Sequence, residues 1–287
     1  MAGVRRDSLA RRLARLPAPV QALLRFAFVA VRVTAGPRSF GTYVRLRRIQ
    51  RHVGSGGRAV RLKLRQLGGR EVLVRPSTSD VDTVWGTFAG AYHRPPAEAL
   101  AHGPRLVWDL GANIGLTMAD LAERHPGARV VGVELDSENA ALARLNVAPW
   151  GARCEVIEGG VWPDDGELRY VHFDGSTAGH HVTDAPFEDD LAVTGARAIS
   201  PWTLLALEDR EAIVDYAKID IEGAERELLS RNTGWTERVR TVAVEIHPPY
   251  SVESCERDLN ALGFLTRRHP RHPAAVIGVR SSACSNT

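Results

Sequence analysis

The sequence predicts a doubly wound α/β fold: a mostly parallel seven-stranded sheet with helices on both faces, preceded by a basic helical arm and a β-hairpin. Three observations carry this. From Leu106 onward, short apolar runs alternate with helix-length segments. A turn rich in small residues, Asp109-Leu-Gly111-Ala-Asn113-Ile-Gly115, follows the first of these runs directly. Acidic residues then close later runs, at Glu134, Asp220 and Glu245.

The elements follow in order. Val20, Leu23, Leu24, Ala27, Phe28 and Val31 keep the i, i+3, i+4, i+7 rhythm of an amphipathic helix, with Arg25 and Arg32 seven apart on another face. Such a stripe suits docking on the chain's own body, which we expect, or lying on a membrane surface. The uncharged stretch Phe26–Val31 is far below the ~20 residues a membrane-spanning helix needs. Gly54–Gly57 reads as a break, giving an arm over residues 1–57 and a main domain over 58–287 with its core at about 104–280. Val60, Leu62 and Leu64, then Gly68-Gly69, then Val72 and Val74 predict a hairpin. Strands are expected at Leu106–Leu110, Arg129–Glu134, Cys154–Glu158, Tyr216–Ile221, Thr241–Ile246, Gly263–Arg267 and Ala274–Val279. Helices are expected from near Gly115, over Ser137–Leu145, Gly223–Leu229 and Glu253–Leu262.

Charge is unevenly spread over the 287 residues. Residues 1–80 hold 18 Lys and Arg against Asp7, Glu71 and Asp80, a net of +15, and the remainder carries −12. A basic arm on an acidic body suits contact with a polyanion or an anionic membrane, or simply attraction between the two parts. Three widely spaced cysteines argue against a disulfide framework and for a reducing, cytoplasmic setting, with peripheral contact at the inner membrane face through the arm.

The chemistry concentrates at the strand ends. Glycines at Gly111 and Gly115 let the backbone turn tightly against a ligand. Asn113 stands where a dinucleotide fingerprint needs glycine, which disfavours a pyrophosphate. An acid at Asp109 suits the ammonium and hydroxyl groups of an amino-acid nucleoside, and Glu134, 25 residues on, suits ribose hydroxyls. In Lys218-Ile-Asp220-Ile-Glu222, alternation aligns three charged side chains; Lys218, one of only two lysines beside 35 arginines, is either a site residue or half of a buried ion pair. Glu245 and His247 share a face, and His247 is a candidate general base or a structural histidine. His247-Pro-Pro-Tyr250 superficially matches an amine-methylating signature, but follows the wrong strand and starts with the wrong residue.

Together VWDLGANIG, VVGVELD, YAKIDIEGAERELL, VAVEIHP and the upstream RPSTSD at Arg75–Asp80 resemble the FkbM family of S-adenosylmethionine-dependent methyltransferases, a class I fold. The resemblance covers about residues 58–280. It implies cofactor contacts at Asp109, Gly111, Asn113, Gly115 and Glu134. It also implies that Asp220, Glu222, Glu225 and His247 line the active cleft, with Thr78, Ser79 and Asp80 toward the substrate. Asp174–His181 is similar to a small-residue loop of that family bordering the pocket. The implied reaction is O-methylation of a small-molecule or glycan acceptor: a sugar, a glycolipid or a polyketide-type metabolite.

Lys218 and Glu222 join His247 and Asp220 as catalytic candidates, and a divalent metal held by Asp220 and Glu222 is an alternative route to an activated hydroxyl. Two rivals remain: a nucleic-acid methyltransferase, disfavoured because few aromatics interleave the arm's arginines, and a catalytically silent membrane-associated binding module.

Overall fold

The computed structural model describes residues 17–50, 57–100, 103–172, 180–183, 193–209 and 211–280. Helices α1 (Ala18–Val33) and α2 (Pro37–Ile49) open it, each with proline in its first turn, where a missing N–H leaves no helical bond unmade. The hairpin is present as β1 (Val60–Lys63) and β2 (Glu71–Val74), with Leu62 opposite Val72, and helix α3 (Asp80–Trp85) follows.

The alternating half then runs β3 (Leu106–Leu110), α4 (Leu116–Arg124), β4 (Arg129–Glu134), α5 (Ser137–Val147) and β5 (Cys154–Glu158). Asp136 starts α5 by accepting a 2.7 Å hydrogen bond from the Asn139 amide. The next stretch adds strands beyond the seven expected for the main sheet. Strands β6 (Gly160–Val161), β7 (Gly166–His172), β8 (His180–Thr183) and β9 (Val193–Ile199) form a separate sheet, ordered β6-β9-β7-β8. In β7, Leu168 and Tyr170 are buried while Glu167 and Arg169 face water. Residues 174–179 of the expected pocket-bordering loop lie outside the described residues, whereas His180 and His181 open β8.

After α6 (Pro201–Ala206) come β10 (Tyr216–Ile219), α7 (Glu225–Ser230), β11 (Thr241–Glu245), α8 (Val252–Ala261), β12 (Phe264–Arg268) and β13 (Ala275–Arg280). The main sheet is ordered β5-β4-β3-β10-β11-β13-β12. Its neighbours are parallel except at β13, which runs antiparallel to β11 and β12. The chain enters at β3, steps outward to β5, then returns to lay β10 on the other side of β3. Crossovers therefore leave β3 and β10 in opposite directions, which opens a crevice at their carboxyl ends.

Both faces of the sheet are covered, so alternate residues enter different cores. Leu106, Trp108 and Leu110 pack with Ile219, Val244 and Trp235, whereas Val107 packs with Val130 and Tyr216 on the opposite face. That second core also takes in Ala30, Val33, Tyr43 and Leu46 from α1 and α2, beside Leu62, Leu64, Val72 and Val74 of the hairpin. Chain on both sides of the expected break near residue 57 therefore contributes to one buried cluster.

The docking face of α1 is not the predicted stripe. Ala30 and Val33 are fully buried and Phe26 and Val29 pack beside them, while Leu23, Phe28 and Val31 stay 56–65% exposed. Apolar residues run around most of this helix, so periodicity alone could not choose which face turns inward.

Candidate active site

Strand β3 ends at Leu110, and the chain turns at Gly111 with φ +85°. A Cβ there would lie 1.7 Å from the Asp220 carbonyl oxygen, so only glycine lets the ends of β3 and β10 meet. The amides of Gly111 and Ala112 both donate to the Val133 carbonyl at 2.9 Å, fixing the turn to β4. Asn113 sits at φ +48° and closes on itself, its Oδ1 accepting from the Ile114 amide at 2.7 Å. At Gly115 a Cβ would come within 3.0 Å of the Ala143 backbone, so the absence of a side chain lets α4 begin tight against α5.

Glu134, at the tip of β4, is 5% exposed. Its Oε2 accepts from the Asn113 amide at 2.7 Å and its Oε1 from the Asp136 amide at 2.9 Å. Burial nonetheless pushes its carboxyl up to about 7.

Behind the turn lies an ionic knot. Lys218 and Asp109 are directly paired across β10 and β3 on the same face. The Lys218 Nζ is 2.9 Å from Asp109 Oδ1 and 3.2 Å from Asp220 Oδ2, and it donates to the Gly111 carbonyl at 2.7 Å. Two carboxylates and a carbonyl hold it as an ammonium against the cost of burial. Of the two readings of Lys218, the buried ion pair is the one observed. Lys218 is 3% exposed and Asp109 fully buried, so neither side chain opens onto the crevice; both position the turn and Asp220.

Past Asp220 the backbone takes the left-handed region at Glu222, φ +54°, before Gly223 at φ +106°. That bend directs the Glu222 carboxylate back to within 3.4 Å of His247 Nε2, with Asp220 Oδ1 3.9 Å from the same nitrogen. His247 Nδ1 is held 2.8 Å from Glu225 Oε1. Burial opposes charge on this ring, but the hydrogen bond to Glu225 and the nearby Glu222 and Asp220 outweigh it, raising His247 to about 9. Glu222 itself is raised to about 7 by burial and by Asp220. Asp220 is held below the usual carboxylate range, because the Lys218 ammonium, helped by His247, overcomes its burial.

Glu225 is not a substrate contact: it is fully buried, accepting also from the amides of Ile221 and Gly223. In the Arg75–Asp80 element, two of the three residues expected toward the substrate, Thr78 and Asp80, are likewise buried. Asp80 is fully buried and accepts from the Arg75 backbone amide and guanidinium at 2.8–3.0 Å, and the Thr78 hydroxyl, 7% exposed, accepts from the Asp80 amide. Ser79 sits at the start of α3, where its carbonyl accepts from Asp82 and Thr83. Arg75 reaches on to Asn139 of α5 at 2.5 Å, so this motif ties the hairpin to α5.

The structure adds residues the sequence reading missed. His93 Nε2 lies 3.9 Å from both Asp220 Oδ2 and Glu245 Oε2, and His272 Nε2 is 3.3 Å from Glu245 Oε1. Burial, helped by the Lys218 charge, lowers His93 to about 3, so it is neutral. His93 comes from an irregular segment before β3, anchored where the Tyr216 hydroxyl donates to its carbonyl at 3.2 Å. Nothing in its sequence neighbourhood marks it. Tyr250 of the rejected proline motif is buried and donates to Asp258 at 2.8 Å, away from this cluster.

Two ligand sets meet at Asp220, namely His93, Asp220 and Glu245, and Asp220, Glu222 and His247; within each set the donor atoms all lie within 4.8 Å of one another. The site as a whole is a glycine turn and a buried glutamate at β3 and β4, abutting a carboxylate–histidine cluster at β10 and β11.

A release factor glutamine methyltransferase of Geobacter sulfurreducens is 37% identical over 75 residues, 25% of this chain and 26% of that protein, so the match spans about a quarter of its relative. Precorrin-6y C5,15-methyltransferase of Geobacter metallireducens superposes over 64% of this chain and 87% of its own, at TM-score 0.36 and 11% identity. A methyltransferase of Pyrococcus furiosus superposes over 64% and 81%, at TM-score 0.36 and 12% identity. The family described as "Methyltransferase FkbM domain" matches residues 109–269, from the acid of the glycine turn to beyond β12. With more than half its length inside that match, the chain belongs to the FkbM family of methyltransferases.

Proposed function

We propose that this methyltransferase uses S-adenosylmethionine to methylate a hydroxyl oxygen of a sugar, glycolipid or polyketide-type acceptor. The observation that carries this is the Lys218 ammonium, which joins the Gly111 carbonyl to the Asp220 carboxylate and so sets an ionised acid beside the glycine turn. The residues present fit the cofactor. Glu134 accepts two backbone N–H groups and a side-chain hydrogen bond from Asn139, which leaves one of its four lone pairs for a ribose hydroxyl, and the turn beside it is built of small residues. When bound, S-adenosylmethionine supplies an electrophilic methyl group, so the protein's task is to align the acceptor and take its proton.

Asp220 is the better proton acceptor. His247, the first candidate from sequence, is cationic at neutral pH and hydrogen-bonded to Glu225, so it has no free lone pair to offer. Its charge instead favours the ionised form of Asp220 and partly offsets what raises Glu222. Such assistance is typically worth ~10²–10⁴ in rate. The carboxylates Asp220, Glu222 and Glu245 around the crevice repel a phosphate backbone, which favours a neutral acceptor over a nucleic acid.

A divalent cation is a second reading, favoured by the Asp220–Glu222–His247 set and by Glu225 behind the His247 ring, an arrangement common around metal-bound histidines. It would acidify the hydroxyl directly. Activity lost to a chelator and restored by returning the cation would support the metal; activity that a chelator leaves intact but Asp220→Asn removes supports the carboxylate base.

The test of the whole reading is calorimetry with S-adenosylmethionine and S-adenosylhomocysteine, followed by mass spectrometry of products from a panel of glycan and polyketide alcohols. Absence of affinity for both compounds would sink it. Affinity without turnover on any alcohol would favour a silent binding module.

A further inference from the structure

Helix α1 presents an apolar stripe that none of the described residues covers. Leu23 is 65% exposed, Phe28 60% and Val31 56%, with Leu24 and Val20 also open to water. Val20, Leu24, Phe28 and Val31 recur at helical spacing on the side of α1 away from Ala30 and Val33, which are fully buried, and Leu23 is open because it lies two turns before Ala30. The helix therefore has two apolar faces, one spent on the core and one left over.

Charge decides what the second face suits. Residues 1–50 contain eleven arginines and a single acid, Asp7. Neither α1 nor α2 carries any carboxylate. The Arg32 guanidinium stacks on the Phe28 ring at 5.2 Å, which sets a cation at the rim of the stripe. Arg38, Arg45 and Arg48 are exposed on the adjoining helix. A second copy of this chain would bring a second pair of helices that carry arginines and no carboxylate, and like charges oppose that pairing. A nucleic acid would satisfy the arginines but leave leucine, valine and phenylalanine against water or phosphate. A lipid surface bearing anionic headgroups satisfies both, with aliphatic side chains below the headgroups and guanidinium groups among them.

We propose that the outward face of α1, with the arginines around it, docks this protein on an anionic membrane, the helix lying in the plane of the interface. At 16 residues α1 is too short to span a bilayer, and no helix among the described residues is long and apolar enough to cross one. Docking there would bring the active site close to the membrane. Helix α1 packs against residues 86–90, and that segment leads directly to His93 in the crevice. The inference rests on this surface alone and stands whether or not the acceptor is a hydroxyl.

The experiment is flotation of the full chain with phosphatidylcholine vesicles, with and without phosphatidylglycerol, over a range of salt. We expect flotation only with the anionic vesicles, weakening as salt rises. The double variant Leu23→Asp, Phe28→Asp should lose roughly tenfold or more in partitioning for each side chain withdrawn from lipid. Arg32→Ser with Arg38→Ser should lose the preference for anionic vesicles. Because these side chains are exposed, the variants should melt as the parent does. No flotation, or equal flotation of parent and variants, overturns the proposal. So does a concentration-dependent dimer that the aspartate pair dissociates, which would make the stripe a self-contact. A lower melting temperature in the aspartate pair also overturns it, by showing that the stripe is already spent on the protein's own packing.

Discussion

Lys218 and Asp109 stand opposite each other on adjacent parallel strands, 2.9 Å apart, with side chains no more than 4% exposed. The lysine also reaches Asp220 and the Gly111 carbonyl, so one ammonium links the glycine turn to the proposed proton acceptor.

Removing that ammonium should be costly. Lys218→Met strands two carboxylates around a buried void, and loss of one partner of a buried pair typically costs ~3–5 kcal/mol. Urea unfolding should show this drop, and the double variant Lys218→Met, Asp109→Leu should recover part of it. Lys218→Arg should not rescue the protein, because a planar guanidinium does not fit where three acceptors converge on a point.

Gly111→Ala should abolish cofactor binding. The new methyl group would sit 1.7 Å from the Asp220 carbonyl, forcing β3 and β10 apart at the crevice. Calorimetry should record an affinity loss of about 100-fold or more, equivalent to ~3 kcal/mol. An unchanged affinity would mean that the turn is not the cradle.

His247 should make stability fall in alkali. Its folded value of about 9 lies above the unfolded value near 6.5, so its contribution is full below about pH 6.5 and is lost as pH rises through 9. The gap sets an upper bound of roughly 3 kcal/mol. Denaturation midpoints at pH 6 and pH 10 should converge in His247→Gln relative to the parent.

Glu134 should make cofactor affinity depend on pH. Ribose hydroxyls donate to the ionised carboxylate, whereas burial holds the group protonated below about pH 7 in the free protein. Affinity should therefore tighten by up to about tenfold per unit from pH 5.5 to 7 and level off above. Glu134→Gln should bind more weakly and lose this slope.

The main sheet was legible because its strands are buried on both faces and read as short apolar runs such as LVWDL and TVAVEI. The small sheet was not, because β7 exposes one face and its alternation of Leu168 and Tyr170 with charged residues is brief. Within the site, the pattern located Asp220, Glu222 and His247 together, and left both roles of Lys218 open until distances decided for the ion pair. Thr78, Asp80 and Glu225 show the limit of pattern. An acid or hydroxyl near a pocket can as readily satisfy backbone amides as touch a ligand, and residue identity does not distinguish the two. His93 was invisible because its position depends on how an irregular segment packs, which no periodicity encodes.

The shared cluster of α1, α2 and the hairpin bears on how the protein can be handled. Trimming the chain to the family-matched region, or even to residue 57, would strip Tyr43, Leu46, Ala30 and Val33 from Leu62, Leu64, Val72 and Val74. The shortened product would carry a wide oily wall into solution and should precipitate or be recovered only with detergent.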